Sequence, residues 1–183
     1  MYNLFKMFDF KYKKHNFIYN NLVKLSRNIY FYKDIKLEDK LENRIILIFG
    51  HLVIILLCLK KKQINKNLSQ ELYDNIFLNI ENNLREMGHG DVTVNKKMKN
   101  FNQIFHDLLI KFLDQKNQNK ININEMTKFL FLLNKNEEIS AKLNDYFVKY
   151  YNFCFDIINK NMIKNLINLN TSYGCTKKKN NSF

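Results

Sequence analysis

The run from Ile45 to Leu59 constrains this chain more than any other segment: fifteen residues between Arg44 and Lys60, apolar throughout except for Gly50 and His51. A helix that is apolar on every side has to be enclosed, either by other protein elements or by lipid. Fifteen residues make about 22 Å of helix at ~1.5 Å per residue, and a bilayer core needs about 30 Å, or ~20 residues. The shortfall favours the central buried helix of a bundle over a membrane span. On that reading His51 is a core histidine with satisfied hydrogen bonds. Lys60, Lys61 and Lys62 then lie at the negative end of the helix, where cations are favoured.

Helices to enclose it are available on both sides. Phe17, Ile18, Leu22, Leu25, Ile29 and Phe31 keep roughly helical spacing and predict one amphipathic helix over Asn16–Tyr32, followed by a charged loop or helix start over Lys33–Asn43. Glu38, Asp39 and Glu42 would suit the positive end of the central helix. Ser69 is a candidate cap for a helix with the stripe Leu72, Ile76, Ile80, Leu84 and Met87, ending at Met87 with Gly88 as a left-handed cap. Phe101, Ile104, Phe105, Leu108, Leu109, Phe112 and Leu113 mark a further helix, and Met126, Phe129, Leu130 and Leu133 a shorter one. A last long helix begins near Glu137 and carries Leu143, Tyr146, Phe147, Tyr150, Cys154, Ile157 and Ile158, with a break before Leu169. The chain has no proline and four glycines in 183 residues, far from the turn-rich composition of an all-β fold. The expectation is an all-α, single-domain helical bundle with a buried central helix. A basic aromatic N-terminal arm (1–14) precedes the helical domain (15–169), and a flexible, disordered basic tail (170–183) follows it.

Charge narrows the partners. The net charge is +13, and residues 1–66 carry 14 Lys or Arg against 5 acids, whereas residues 67–183 carry 16 against 12. Heavy use of Asn, Lys, Ile, Phe and Tyr fits AT-rich codon usage, which discounts surface lysines as signals of function. The arm Met1–Lys14 interleaves rings with Lys6, Lys11, Lys13 and Lys14, so it suits either an anionic membrane surface or packing across its own domain. Cys58, Cys154 and Cys175 are odd in number and far apart, which argues against a disulfide framework or a zinc site. No secretory signal is evident, and the first 25 residues contain no Arg or Ser. These features lean towards a bacterial cytoplasm, peripheral to the inner membrane, with a mitochondrial matrix as the alternative. There is no G-x-S-x-G elbow, glycine-rich phosphate loop or H-E-x-x-H, so no catalytic residue, metal or cofactor is assigned.

The segment Leu84-Arg85-Glu86-Met87-Gly88-His89-Gly90-Asp91, continuing to Lys96, Lys97, Met98 and Lys99, is the specific part of the chain. It resembles the L-R-E-M-G-x-G-D signature of the ubiquinol-cytochrome c chaperone family, with His89 at the variable position. Weaker likeness runs back through Asn43-Arg44-Ile45 and Asn28–Tyr32, and the chain departs from the family at Leu37–Lys40 and at His106-Asp107-Leu108. The resemblance implies a non-enzymatic assembly chaperone for the ubiquinol-cytochrome c reductase complex, respiratory complex III, with newly made cytochrome b as its client. Mitochondrial members of the family are associated with the ribosome exit region and work with a small second assembly factor, so the resemblance offers the exit region and such a factor as further partners.

Read physically, Gly88-His89-Gly90 is a tight connection between two helices, with Leu84, Met87, Gly88, Gly90 and Asp91 as its structural motif. Both glycines are expected for backbone geometry. Arg85, Glu86, Lys96, Lys97 and Lys99 are the candidate partner-binding residues, facing an acidic, phosphate or peptide partner. Against this stands the plainer reading that Arg85 pairs with a neighbouring acid and Glu86 is simply solvated. His89 could ligate haem or a metal, and His106 reads as a surface residue. A basic peripheral membrane adaptor, or a ribosome- or RNA-binding adaptor without a cytochrome b client, is the alternative function.

Overall fold

The computed structural model describes residues 17–64, 66–113 and 137–160. Every regular element among them is a helix: α1 (17–26), α2 (Ile29–Lys33), α3 (Leu41–Lys61), α4 (Lys66–Glu86), α5 (Asp91–Leu113) and α6 (Glu137–Lys160). The N-terminal arm, the short helix expected around Met126–Leu133, the break before Leu169 and the C-terminal tail lie outside the described residues.

The central helix is longer than its apolar run. Leu41–Lys61 is 21 residues, about 31 Å at ~1.5 Å per residue, so it is long and apolar enough to cross a membrane. Length therefore does not exclude a span, and burial decides instead: 72% of its most apolar stretch is buried inside the protein. Helix α3 packs against α4, α5 and α6, and buried side chains from all six helices form one core cluster around it. Its polar exception is accommodated as expected of a core histidine. His51 is fully buried, its Nδ1–H donates to the Leu47 carbonyl at 2.6 Å, and its Nε2 accepts from the Tyr146 hydroxyl at 3.0 Å.

Helix α4 folds back along α5 as an antiparallel hairpin. Its stripe Leu72, Ile76, Ile80 and Leu84 is buried, Tyr73 and Phe77 pack on Phe105, and the Tyr73 hydroxyl donates to Asn102 Oδ1. Two expectations for α4 need correction. It begins at Lys66, so Ser69 lies inside the first turns instead of capping them. It ends at Glu86, and Met87, one residue beyond the helix, leaves the stripe and is 58% exposed.

The single helix expected over Asn16–Tyr32 is two. Asn28 adopts φ −60°, ψ 127°, and its side-chain carbonyl accepts from the Tyr30 N–H at 3.0 Å, so it caps α2 and interrupts the helical path. The Tyr32 hydroxyl donates to the Ser26 carbonyl at 2.6 Å and fixes the corner. The break changes the phase: Phe31 enters the core, whereas Ile29 is exposed; Phe17, also assigned to the apolar stripe, is exposed at the start of α1. The loop after α2 is less polar in function than in composition, since Ile35 and Leu37 are buried and Asn43 Nδ2 donates to the Glu38 carbonyl at 2.8 Å. Neither Glu38 nor Asp39 sits in the first turn of α3, which contains Glu42; Asp39 is instead gripped by Arg44 through two bonds of 2.6 and 2.7 Å.

Candidate functional site

The α4–α5 connection is built by local backbone geometry. Gly88 takes φ +85°, its N–H bonds the Arg85 carbonyl at 2.9 Å, and the His89 N–H bonds the Leu84 carbonyl at 3.2 Å. This pair of bonds is a Schellman cap, which satisfies two of the carbonyls that a helix end leaves open. Gly90 differs from Gly88. It has no positive φ, a Cβ there would meet nothing within 4 Å, and its carbonyl accepts from the Val94 N–H at 3.0 Å at the start of α5. Of the two glycines expected for geometry, only Gly88 is required by it. Asp91, expected in the turn, opens α5, where an acid is favoured by the helix dipole.

The charged residues of the segment divide into two groups. Arg85 is held by its own neighbours: Nη2 lies 2.8 Å from Glu81 Oε1 and Nη1 bonds Asp91, and these hydrogen bonds, Glu81 first, raise the guanidinium's affinity for its proton. Lys97 crosses to the start of α3 and meets Glu42 Oε1 at 3.0 Å, which holds the Glu42 carboxyl below its usual range. Lys96 and Lys99 are exposed and form no ion pair among the described residues. They share the outer face of α5 with Val92, Gln103, His106 and Ile110, of which Val92 is 85% exposed. His106 is thus a surface residue, as its spacing suggests.

Glu86 and Met87 point elsewhere. They line one wall of a groove of about 650 Å³ between α1, the start of α3 and the end of α4, with Arg27, Arg44, Ile45 and Leu84 among its other walls. Asn83 Nδ2 donates to the Tyr19 hydroxyl inside this groove and ties α4 to α1. Sequence reasoning missed Val92 and the Glu42 partner of Lys97. The first was readable, since Val92, Lys96 and Lys99 are spaced i, i+4, i+7. The second joins residues 55 apart and leaves no local trace. Among the described residues no group of three His, Cys, Asp or Glu side chains is placed to hold a metal.

A family model described as Ubiquinol-cytochrome C chaperone matches residues 33–118. The match runs from the end of α2 through α5 and takes in the capped turn, Arg85 and the lysines of α5, while α1 and α6 lie outside it. No curated protein and no solved structure matches the chain.

Proposed function

The chain belongs to the ubiquinol-cytochrome C chaperone family through residues 33–118, and from that premise we propose that it engages newly made cytochrome b with the outer face of α5 during complex III assembly. The family supports the assembly role. The observation that carries the choice of surface is the contrast between Arg85 and Lys97, whose charges are matched within the protein, and Lys96 and Lys99, which stand beside exposed Val92. An unfolded membrane-protein client offers apolar segments flanked by polar loops. A face with two cations next to a bare valine suits such a chain better than a purely charged patch would. Arg85 and Lys97 then hold the helices that present the surface, and the contacts fall to Lys96 and Lys99. No proton transfer or covalent step is involved, and chaperoning requires none.

The test is site-specific crosslinking in cells from positions 96 and 99, with position 149 on α6 as the reference. Capture of cytochrome b from 96 and 99, and far less from 149, is the expected outcome. Equal capture from all three positions would remove the surface from the proposal. Normal levels of assembled reductase in a deletion strain would remove the client.

A further inference from the structure

The opposite end of the bundle holds a second concavity, a cleft of about 430 Å³ lined by Leu56, Leu57, Ile64 and Leu109, with Lys60, Gln63 and Ser69 among its lining residues. We propose that this cleft binds a single-chain fatty-acid carboxylate, its hydrocarbon between Leu56, Leu57, Ile64 and Leu109 and its head group at Lys60. The volume falls within the range of small-molecule sites, about 300–1,000 Å³, and the combination of apolar walls with a few converging polar groups is the usual composition of such sites.

Three observations point to an anionic head. First, the three lysines that end α3 are not equivalent. Lys61 lies over the Tyr151 ring at 5.4 Å, and Lys62 lies over the Phe155 ring at 3.8 Å while donating to the Phe155 carbonyl, so both are turned to α6. Lys60 alone of the three lines the cleft, and among the described residues no acid lines it. Second, two of the carbonyls left open at the end of α3 are already occupied. The Gln63 N–H bonds the Lys60 carbonyl at 3.0 Å and the Ile64 N–H bonds the Leu59 carbonyl at 3.0 Å, which blunts the negative end of the helix beside a carboxylate. Third, that cap is made by a residue ill suited to it. Gln63 adopts φ +53° with a full side chain, a strained conformation, and Gln63 and Ser69, whose side chains can both donate hydrogen bonds to a carboxylate, are among the residues that line the cleft. One cation and one apolar cleft accommodate one chain with one charge.

The experiment uses the purified full chain and a fluorescent stearate analogue, with stearyl alcohol and phosphatidylglycerol vesicles as competitors. Saturable one-to-one binding of the stearate is expected, displaced by unlabelled stearate more effectively than by the alcohol. Lys60→Glu should weaken stearate binding by about tenfold or more, a loss of at least ~1.4 kcal/mol, while leaving competition by the alcohol nearly unchanged. Leu109→Phe, which fills the cleft without touching charge, should weaken both, and Lys61→Glu should weaken stearate far less than Lys60→Glu. The thermal midpoint of each variant checks that it folds. Absence of saturable stearate binding in the wild type, or binding unaffected by both Lys60→Glu and Leu109→Phe, would overturn the proposal. Displacement by vesicles alone would overturn it in favour of a membrane surface.

Discussion

Helix α3 has two sides of different chemistry. Towards α4 and α5 it presents Phe49, which stacks on Phe77 at 5.2 Å and meets Phe101 and Phe105 edge-on at 6.2 and 5.4 Å. Towards α6 it presents His51 and Cys58, which meet Tyr146, Phe147, Tyr150 and Tyr151. The first side lies wholly within the family-matched residues, whereas the second is completed by a helix outside them. An all-hydrocarbon interface fills space without fixing register. A buried hydrogen bond such as that from Tyr146 to His51 costs much when misaligned, and it selects one docking position for α6. The most membrane-like helix among the described residues is thus closed on this side by a polar latch.

Removing the aromatic side chain on either side should reveal whether the two interfaces form one cooperative unit. Phe49→Ala and Phe147→Ala each delete a fully buried ring and should each cost about 3–5 kcal/mol. Their distribution should differ. Amide exchange in Phe147→Ala is expected to rise across α6 while α3, α4 and α5 stay protected, and in Phe49→Ala to rise throughout. Identical loss of protection in the two variants would show that α6 is an inseparable part of the core.

Acid should act on the α6 side first. Burial pushes the His51 imidazole down from 6.5 to about 4, with the Leu47 carbonyl opposing the shift. A base with a depressed folded pKa is neutral in the fold and charged in the unfolded chain as pH falls, so stability present above pH 6.5 drains away between about 6.5 and 4 and then levels off. At ~1.4 kcal/mol per unit the loss is about 3 kcal/mol. Carboxylates held low by cations, such as Glu42 beside Lys97, add to the loss only below about pH 4.5, so the interval from 6.5 to 5 isolates the histidine. Denaturant midpoints over that interval should fall in the wild type and stay level in His51→Gln. A matching fall in the variant would assign the effect elsewhere.

How much of this was legible in the sequence depended on distance along the chain. The α4 stripe and the left-handed Gly88 were readable because each is written within a few residues. Arg85 with Glu81 was readable as an i, i+4 pair. His51 could be placed in the core from its neighbours, but its partner Tyr146 lies 95 residues away and has no local sign. Asn28 is a good capping residue, yet the apolar spacing on both sides of it argued for continuity. The left-handed Gln63 escaped because nothing about a glutamine announces that conformation. Comparing it with Gly88 gives a prediction of opposite signs. Gly88→Ala should destabilise by about 1–2 kcal/mol through backbone strain alone, since a Cβ there meets nothing within 4 Å. Gln63→Gly should raise the thermal midpoint, by relief of strain worth up to about 1 kcal/mol. A fall in Gln63→Gly would mean that its side chain stabilises the fold by more than its backbone costs.

The smallest expected effect separates residues that build the α5 side from residues that use it. Lys97 and Glu42 are half-exposed, and pairs of this kind contribute about 0.2–1 kcal/mol. A double-mutant cycle on Lys97→Met and Glu42→Gln should return a coupling in that range, because the pair joins α5 to the start of α3. Lys96→Met and Lys99→Met lack such a partner among the described residues, so their stability should stay within about 0.5 kcal/mol of wild type. Client capture should reverse the order: the variants at 96 and 99 should lose cytochrome b crosslinks from neighbouring positions, whereas Lys97→Met should retain them. If Lys97→Met lost the client as completely while its coupling to Glu42 proved negligible, Lys97 would belong to the binding face and not to the scaffold, and the distinction drawn between the matched and unmatched charges would fail.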